Sequence, residues 1–162
     1  LSAGADKTIR LWDIRSGTCV SVMGSIGTGV TDLEASSELP SSSDILSLST
    51  NPTSPWTVSS GHKDGSINVW DLRAQRLSWT IQAHSSECRS VEYSNDGRWL
   101  ISSSFDNSIN VTDCDIWERR IVSTYSDHRN KVLRATWHPS RPIFASCSAD
   151  KTVRLWGPRV DA

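Results

Sequence analysis

The chain has 162 residues, of which 36% are apolar, enough for one packed core. Its formal net charge is −1, so the chain as a whole does not attract nucleic acid or an anionic membrane electrostatically. The four cysteines, Cys19, Cys88, Cys114 and Cys147, lack the close spacing of a zinc site or a disulfide framework, so we expect reduced, buried thiols in an intracellular protein. No apolar run approaches the roughly 18–20 residues that cross a bilayer, and no cofactor or metal is expected.

Four segments of one shape recur along the chain, and each begins with an aspartate. They read DKTIRLWD at 6–13, DGSINVWD at 64–71, DNSINVTD at 106–113 and DKTVRLWG at 150–157. Three of them carry a tryptophan six residues after the aspartate, namely Trp12, Trp70 and Trp156. The third segment has Thr112 at that place. The chain is therefore predicted to repeat one structural unit.

Short β-branched runs between turn residues predict strands throughout, and no segment has the periodicity of an amphipathic helix. In the second unit we predict strands at 45–50, 57–61, 66–71 and 77–81, and in the third at 89–94, 99–104, 108–113 and 119–124. Residues 24–44 are rich in Gly and Ser and lack apolar periodicity. This composition predicts a long loop with rapidly exchanging amides.

The units resemble WD repeats, the four-stranded blades of β-propellers. In that family a His before the first strand, a Ser in the second, an Asp in the next turn and a Trp in the third strand are hydrogen bonded together. The matching residues are His84, Ser102, Asp106 and Thr112 in the third unit, and His128, Ser146, Asp150 and Trp156 in the fourth. The second unit supplies Ser60, Asp64 and Trp70 but no His at the expected place, and the first supplies Asp6 and Trp12.

The resemblance implies an all-β fold, a single partial β-propeller over residues 1–162 with two complete blades and two incomplete ones. Blade 1 (incomplete) covers 1–23, the loop 24–44, blade 2 45–82, blade 3 83–126 and blade 4 (incomplete) 127–162. Blade 2 is expected to be the loosest, since Thr50 stands where the sister blades have Tyr93 and Trp137. Propellers close with roughly four to eight blades, so we expect half of a seven-bladed ring whose remainder comes from sequence before Leu1.

Serine, histidine and aspartate together could suggest a hydrolase triad. The same residues recur at the same offsets in two units, however, whereas an enzyme needs one nucleophile in one pocket, and no GxSxG motif is present. We therefore predict a structural role and no catalytic residue. The remaining histidines are interpreted as surface or satisfied imidazoles rather than ligands, His62 in a loop and His138 after a strand.

Thr112 is too small for the place of a blade tryptophan, which buries roughly 150–250 Å². We expect neighbouring side chains to close over the space, with Trp99 and Trp79 as candidates, rather than leave a softer blade in which the Ser102 hydroxyl binds water.

Propellers are general platforms for protein contacts. The segments DKTIRLWDIRSGTC, AHSSECRSVEYS, INVTD and HRNKVLRATWHPS resemble microtubule-associated WD-repeat proteins. This resemblance implies a scaffold of the cytoplasm and cytoskeleton, including the cilium or axoneme, with tubulin or microtubule-associated proteins as partners. Residues 114–162 carry nine Lys/Arg against five Asp/Glu, a bias that a solvated face explains more often than a patch that binds acidic groups. Under the microtubule resemblance, Arg119, Arg120, Arg129 and Lys131 are candidates for contact with acidic tubulin.

An alternative function follows from two WDxR boxes, which end in Arg15 and Arg73. They resemble the boxes of substrate receptors of cullin-type ubiquitin ligases, in which the Arg contacts the ligase adaptor. A local Asp–Arg pair or plain solvation would explain the same arginines. Nucleic acid is not an expected partner, because neither a basic stripe nor interleaved aromatic residues are present.

Overall fold

The computed structural model describes residues 1–24, 43–114 and 119–157, and within these ranges the chain forms strands and turns only. Fourteen strands make four antiparallel sheets, two of four strands and two of three. The predicted all-β partial propeller, with two complete blades between two incomplete ones, is confirmed. The described part of the chain contains no helix that could cross a membrane.

Each blade is a meander of consecutive strands. Blade 1 contains β1 (Ser2–Ala3), β2 (Thr8–Asp13) and β3 (Thr18–Gly24). Blade 2 contains β4 (Ile45–Thr50), β5 (Thr57–His62), β6 (Ser66–Asp71) and β7 (Arg76–Gln82). Blade 3 contains β8 (Cys88–Tyr93), β9 (Trp99–Ser104), β10 (Ile109–Asp113) and β11 (Ile121–Tyr125). Blade 4 contains β12 (Val132–Trp137), β13 (Phe144–Ser148) and β14 (Val153–Trp156).

The predicted strands of blades 2 and 3 agree with these bounds to within two residues. Most of the predicted loop at 24–44 lies outside the described residues, since Gly24 ends β3 and the description resumes at residue 43. Its exchange behaviour and the looseness of blade 2 stay predictions.

Burial along the strands follows their position in the blade. In β7, an outer strand, Leu77, Trp79 and Ile81 are half-buried while the residues between them are exposed, as expected where one face of a strand is covered. In β9, by contrast, every residue from Leu100 to Ser104 is buried, because a central strand has a blade on each side. The serines of β9 are therefore removed from water and need internal hydrogen bonds.

The apolar core is divided into layers between neighbouring blades. Between blades 1 and 2 the buried members are Ile9, Met23, Ile45 and Trp70. Between blades 2 and 3 they are Ile67, Ala83, Cys88, Val91, Tyr93 and Leu100. Between blades 3 and 4 they are Ile109, Val111, Val132, Ala135 and Phe144, together with Ile101. Each blade therefore buries its apolar surface only by stacking on the next one.

Hydrogen bonds also join blade 2 to blade 3. The backbone N–H groups of Val91 and Tyr93 donate to the hydroxyls of Ser47 and Ser49, each at 3.1 Å, and the Asn51 amide donates to the Gly97 carbonyl at 2.9 Å. The inner strands are thus held side by side without a shared ladder.

The cysteines depart in part from the expected buried thiols. All four are free, but only Cys88 is buried, while Cys19 is exposed on β3 and Cys114 and Cys147 are half-buried. Burial raises the pKa of the Cys88 thiol, so this group stays protonated. The expectation of buried thiols is wrong for Cys19, because one face of an outer strand points to solvent.

One turn is repeated in all four blades and sets their orientation. After Asp6, Asp64, Asp106 and Asp150 the next residue has a positive φ: 62° at Lys7, 87° at Gly65, 70° at Asn107 and 68° at Lys151. Each carboxylate accepts the N–H of the following Ser or Thr at 2.9–3.2 Å, an Asx turn. We call the end of the blades that carries these aspartates the aspartate face, and the other end, with Asn51, Asn95 and Pro139, the opposite face.

Gly65, the glycine among these four positions, should tolerate a side chain less well than Gly17, a glycine at positive φ in another turn. A Cβ there would lie 2.3 Å from the His84 carbonyl oxygen and 2.7 Å from that of Ser86, whereas at Gly17, also at positive φ, nothing lies within 4 Å. We expect Gly17→Ala to cost about 1 kcal/mol of backbone strain, and Gly65→Ala to cost about 1–3 kcal/mol more because backbone atoms must move. Urea unfolding followed by tryptophan fluorescence measures both, and equal losses would contradict this account of Gly65.

Candidate functional site

The residues predicted to tie each blade together meet in blades 3 and 4. In blade 4, Nε2 of His128 lies 2.7 Å from the Ser146 hydroxyl and Nδ1 lies 2.9 Å from the Asp150 carboxylate, and the Trp156 indole donates to the same hydroxyl at 2.8 Å. A carboxylate can only accept, so Nδ1 of His128 carries a proton, and in the neutral imidazole Nε2 accepts from Ser146.

Blade 3 has the same arrangement without its tryptophan. His84 is buried, with Nε2 at 2.8 Å from the Ser102 hydroxyl and Nδ1 at 3.1 Å from the Asp106 carboxylate. The Ser108 hydroxyl, 3.0 Å from Nδ1, is a second hydrogen-bond partner on that side of the ring. The Ser102 hydroxyl therefore has a protein partner and does not depend on water.

Blade 2 contains a histidine that the sequence interpretation placed elsewhere. His62 lies in β5 rather than in a loop, is 1% exposed, and has Nε2 at 2.8 Å from the Ser60 hydroxyl. The Trp70 indole donates to that hydroxyl at 2.8 Å, and Nδ1 of His62 donates to the Ser43 carbonyl at 3.2 Å.

The blade thus has a serine–histidine–tryptophan set after all, with the histidine two residues beyond the serine. Alternate residues of a strand face the same side, so the Ser-X-His spacing was the signal that could have located it. The interpretation of His62 as a satisfied imidazole is confirmed, and its assignment to a loop is wrong.

Blade 1 shows a reduced form of the set. The Trp12 indole donates to the Ser2 hydroxyl at 2.9 Å, and Trp12 is 43% exposed. Asp6 accepts from the Thr8 hydroxyl at 2.9 Å and from Arg10 at 3.2 Å. Ser2 occupies the second-strand position that Ser60 holds in blade 2, and the sequence interpretation missed it because only two residues of that strand are present.

Thr112 lies in a closed environment. It is 0% exposed, stands opposite Leu100 on one side and Ile121 on the other, and its buried hydroxyl has no hydrogen-bond partner among the described residues. The side chains packed against the cluster that contains Leu100 are Ile81, Cys114 and Ile121.

Trp99, one of the two tryptophans predicted to fill the space, does not do so. Trp99 stands opposite Asp113, on the side of the sheet that carries Val111, and packs towards blade 4. Trp79 contacts Arg119, whose guanidinium carbon is 5.3 Å from its ring centre. The prediction failed for Trp99 because alternate strand residues face opposite sides.

The charged groups of these sets have shifted pKa values. Burial alone would raise the pKa of Asp106, but hydrogen bonds from His84 and Ser108 outweigh it and lower that pKa. Hydrogen bonds from Thr152, then His128 and Arg129, lower the pKa of Asp150 despite some desolvation. Burial lowers the pKa of His62. The two aspartates therefore stay ionised at physiological pH and stabilise their turns.

The candidate contact residues are distributed over both faces. Arg129 and Lys131 lie at the aspartate face, in the connection before β12, whereas Arg119 and Arg120 lie at the opposite face, before β11. Arg15 and Arg73 are also at the opposite face and exposed, and Arg73 lies over the Trp56 ring with its guanidinium carbon 5.5 Å from the ring centre. The basic residues therefore form no single patch.

The arrangement gives no sign of a reaction centre. In three blades a serine hydroxyl lies 2.7–2.8 Å from Nε2 of a histidine, and each pair is enclosed within its own blade. Within the described ranges no group of three or more His, Cys, Asp or Glu residues is placed to hold a metal ion. Repeated four-stranded antiparallel blades define the class of β-propeller proteins.

The chain belongs to the WD40 family (WD domain, G-beta repeat), whose profile matches residues 17–71, 75–113 and 119–157. This is a family of interaction scaffolds rather than an enzyme family.

Three curated proteins illustrate the likeness. The chain is 30% identical to autophagy-related protein 16 of Arabidopsis thaliana over 96% of its length and 28% of that protein. It is 29% identical to actin-interacting protein 1 of Drosophila melanogaster over 83% of its length and 21% of that protein. It is 33% identical to a probable coatomer subunit beta' of Schizosaccharomyces pombe over 69% of its length and 14% of that protein. The chain thus spans under a third of each.

The buried hydroxyl of Thr112 generates a stability prediction. Thr112→Val keeps the shape and removes an unsatisfied polar group, so we expect the protein to gain about 1 kcal/mol. Thr112→Trp should instead overpack the closed site and cost about 1–3 kcal/mol. Thr124→Val is the matched control, because the Thr124 hydroxyl donates to the Asn110 side chain at 2.7 Å and its removal should destabilise. Thermal unfolding decides, and a stabilised Thr112→Trp would show that the blade holds a real void.

The lowered aspartate pKa values predict an acid-dependent loss of stability. A carboxylate whose folded pKa is below its unfolded value stabilises the fold above the unfolded pKa, about 3.9, and this contribution disappears as the pH falls towards the folded pKa. Asp106→Asn should therefore be less stable at neutral pH and show a flatter acid limb from about pH 4 to pH 2. The exposed Asp127→Asn serves as control and should keep the wild-type limb in pH-dependent urea unfolding.

Proposed function

We propose that this chain is part of a non-catalytic scaffold of the cytoskeleton that associates with microtubules in the cytoplasm, including those of cilia. The observation that carries the scaffold function is that the serine–histidine pairs of blades 2, 3 and 4 are hydrogen bonded inside those blades. What remains available to other molecules is the two faces and their exposed side chains, which suits partner binding rather than catalysis.

The microtubule assignment rests on a finer sequence resemblance. The segments DKTIRLWDIRSGTC, AHSSECRSVEYS and HRNKVLRATWHPS are similar to consecutive parts of the C-terminal propeller of nemitin, a microtubule-associated WD-repeat protein. Thr112 belongs to that resemblance, because the corresponding blade there also reads VTD. A cytoskeletal setting is in keeping with the name of the Drosophila relative, actin-interacting protein 1.

The outermost surface of blade 4 supports a larger ring. Val153 and Leu155 are 73% and 78% exposed, and the equivalent residues of blade 3, Ile109 and Val111, are buried against blade 4. An apolar strand face of this kind is covered in a closed propeller. We propose that further blades cover this face and that an additional outer strand pairs with β14.

A second candidate function is that of a cullin-ligase substrate receptor. In its favour, Arg15 and Arg73 follow equivalent turns and are both exposed. Against it, the contact of Arg73 with Trp56 gives that arginine a local role. The backbone N–H groups of Arg15 and Arg73 donate to Asp13 and Asp71 at 2.9 and 2.8 Å. Any residue other than proline at these two positions could make the same bonds, so the turns themselves do not require arginine.

Binding to purified microtubules and to the purified ligase adaptor separates these functions. We expect the chain to co-sediment with microtubules and not to retain the adaptor, and the double variant Arg15→Ala/Arg73→Ala to sediment as the wild type does. Retention of the adaptor that the double variant abolishes would favour the ligase receptor. A correctly folded double variant that no longer sediments would count against the scaffold as proposed.

A further inference from the structure

Phe105 is out of place among the repeated turns. It precedes Asp106 on the aspartate face, where the sister turns have Ala5, Lys63 and Ala149. Its ring is only half-buried. Since the other blades form the same turn with other side chains, the turn itself does not require an aromatic ring here.

Two cations from different blades converge on this ring. The Lys131 ammonium lies 4.5 Å and the Arg89 guanidinium carbon 5.1 Å from the ring centre, both within the range of a cation–π interaction. Arg89 belongs to β8 of blade 3, and Lys131 directly precedes β12 of blade 4. The ring therefore holds two positive charges together that would otherwise repel each other.

A concavity of about 270 Å³ continues from Arg89 along the inner strands. It is lined mainly by small polar side chains and two arginines, and the residues that matter here are Ser47, Ser49, Arg89, Ser90 and Arg134. Its one carboxylate, Glu92, is already engaged, because it accepts from the Thr136 hydroxyl at 2.9 Å and from the Trp137 N–H at 3.0 Å. The concavity thus presents positive charge and hydroxyl donors.

The acidic residues around Phe105 offset these cations only in part. Glu87 lies 3.6 Å from Arg89, and the two side chains are 30% and 40% exposed, so this pair is worth little. Asp106 and Asp150 point inwards to histidines and their side chains are 14% and 7% exposed. Lys131 has no ion-pair partner among the described residues, and Asp64 and Asp127 are exposed carboxylates on the same face.

We propose that Arg89, Lys131 and Phe105, with Arg134 inside the concavity, bind an acidic peptide segment in extended form. Glutamate or aspartate carboxylates would bind Arg89 and Lys131 at the rim and Arg134 further in, while the peptide backbone meets the inner-strand serines. This site deepens the scaffold function proposed above and rests on it, since it names the chemistry of the partner. A peptide is favoured over nucleic acid because the site has one ring and no row of stacking aromatics.

The probe is a fluorescein-labelled decapeptide in which glutamate alternates with glycine, and its glutamine counterpart is the uncharged control. Fluorescence anisotropy with the 162-residue chain should show binding of the glutamate peptide only, weakened by added salt. Arg89→Gln, Lys131→Gln and Phe105→Ala should each weaken binding by about three- to tenfold. Arg76→Gln removes one exposed charge at the start of β7, on the opposite face, and should leave binding unchanged. Thermal unfolding confirms that each variant is folded.

Three outcomes would overturn the proposal: no binding of the glutamate peptide, equal loss in Arg76→Gln, or tighter binding of a single-stranded oligonucleotide than of the peptide at the same salt. Microtubule sedimentation of the same variants separates this site from the proposed function. Peptide binding in a wild-type chain that does not sediment supports the site and contradicts microtubule association. Sedimentation of a chain that does not bind the peptide supports microtubule association and contradicts the site.

Discussion

The buried serine hydroxyl in the second strand of blades 2, 3 and 4 is the group on which the rest of the structure depends. A hydroxyl placed between stacked blades must be hydrogen bonded, or it costs the desolvation of a polar group. In blade 4 Ser146 meets this need with a histidine on one side and a tryptophan indole on the other. These bonds join the connection before the blade, its second strand and its third strand, and they turn the aspartate of the next loop to one face. The four Asx turns share one face because each of them joins the second strand of its blade to the third.

The blades satisfy that constraint in different ways. In blade 2 the histidine, His62, lies two residues after the serine in the same strand. In blade 3 the histidine precedes the first strand, as in blade 4, but no tryptophan is present at the third-strand position. What is conserved between them is the satisfied serine and the filled layer between blades, not the identity of each partner. Such substitutions fit close packing, in which shape and hydrogen-bond satisfaction matter more than a particular residue. Blade 3 keeps one exception, the unpartnered hydroxyl of Thr112.

Because the serine–histidine pairs are hydrogen bonded inside the blades, the side chains available for contact with a partner lie on the two faces. The aspartate face gathers Arg89 and Lys131 around Phe105 near the inner strands, whereas the opposite face carries Arg73 against Trp56 and Arg119 against Trp79. Cation–π contacts recur at both faces and hold long, flexible side chains in defined positions. A scaffold gains from this arrangement, because pre-ordered arginines lose less conformational freedom when a partner binds.

By itself the sequence determined the all-β repeat, the strands of blades 2 and 3 to within two residues, and the Asp turns, since β-branched alternation and turn residues act locally. The sequence also predicted that His84 pairs with Ser102, because the resemblance to WD repeats identifies these two residues, which are distant along the chain, as partners. Only the tertiary structure decided that His62 reaches Ser60, that Trp99 faces away from Thr112, and that Lys131 meets Phe105 while Arg119 lies at the other face. The His62 and Trp99 outcomes depend on which side of a strand each residue occupies, and alternation along a strand encodes this once the strand bounds are known. The Lys131 and Arg119 contacts depend on how one blade stacks on the next, which spacing along the chain does not encode.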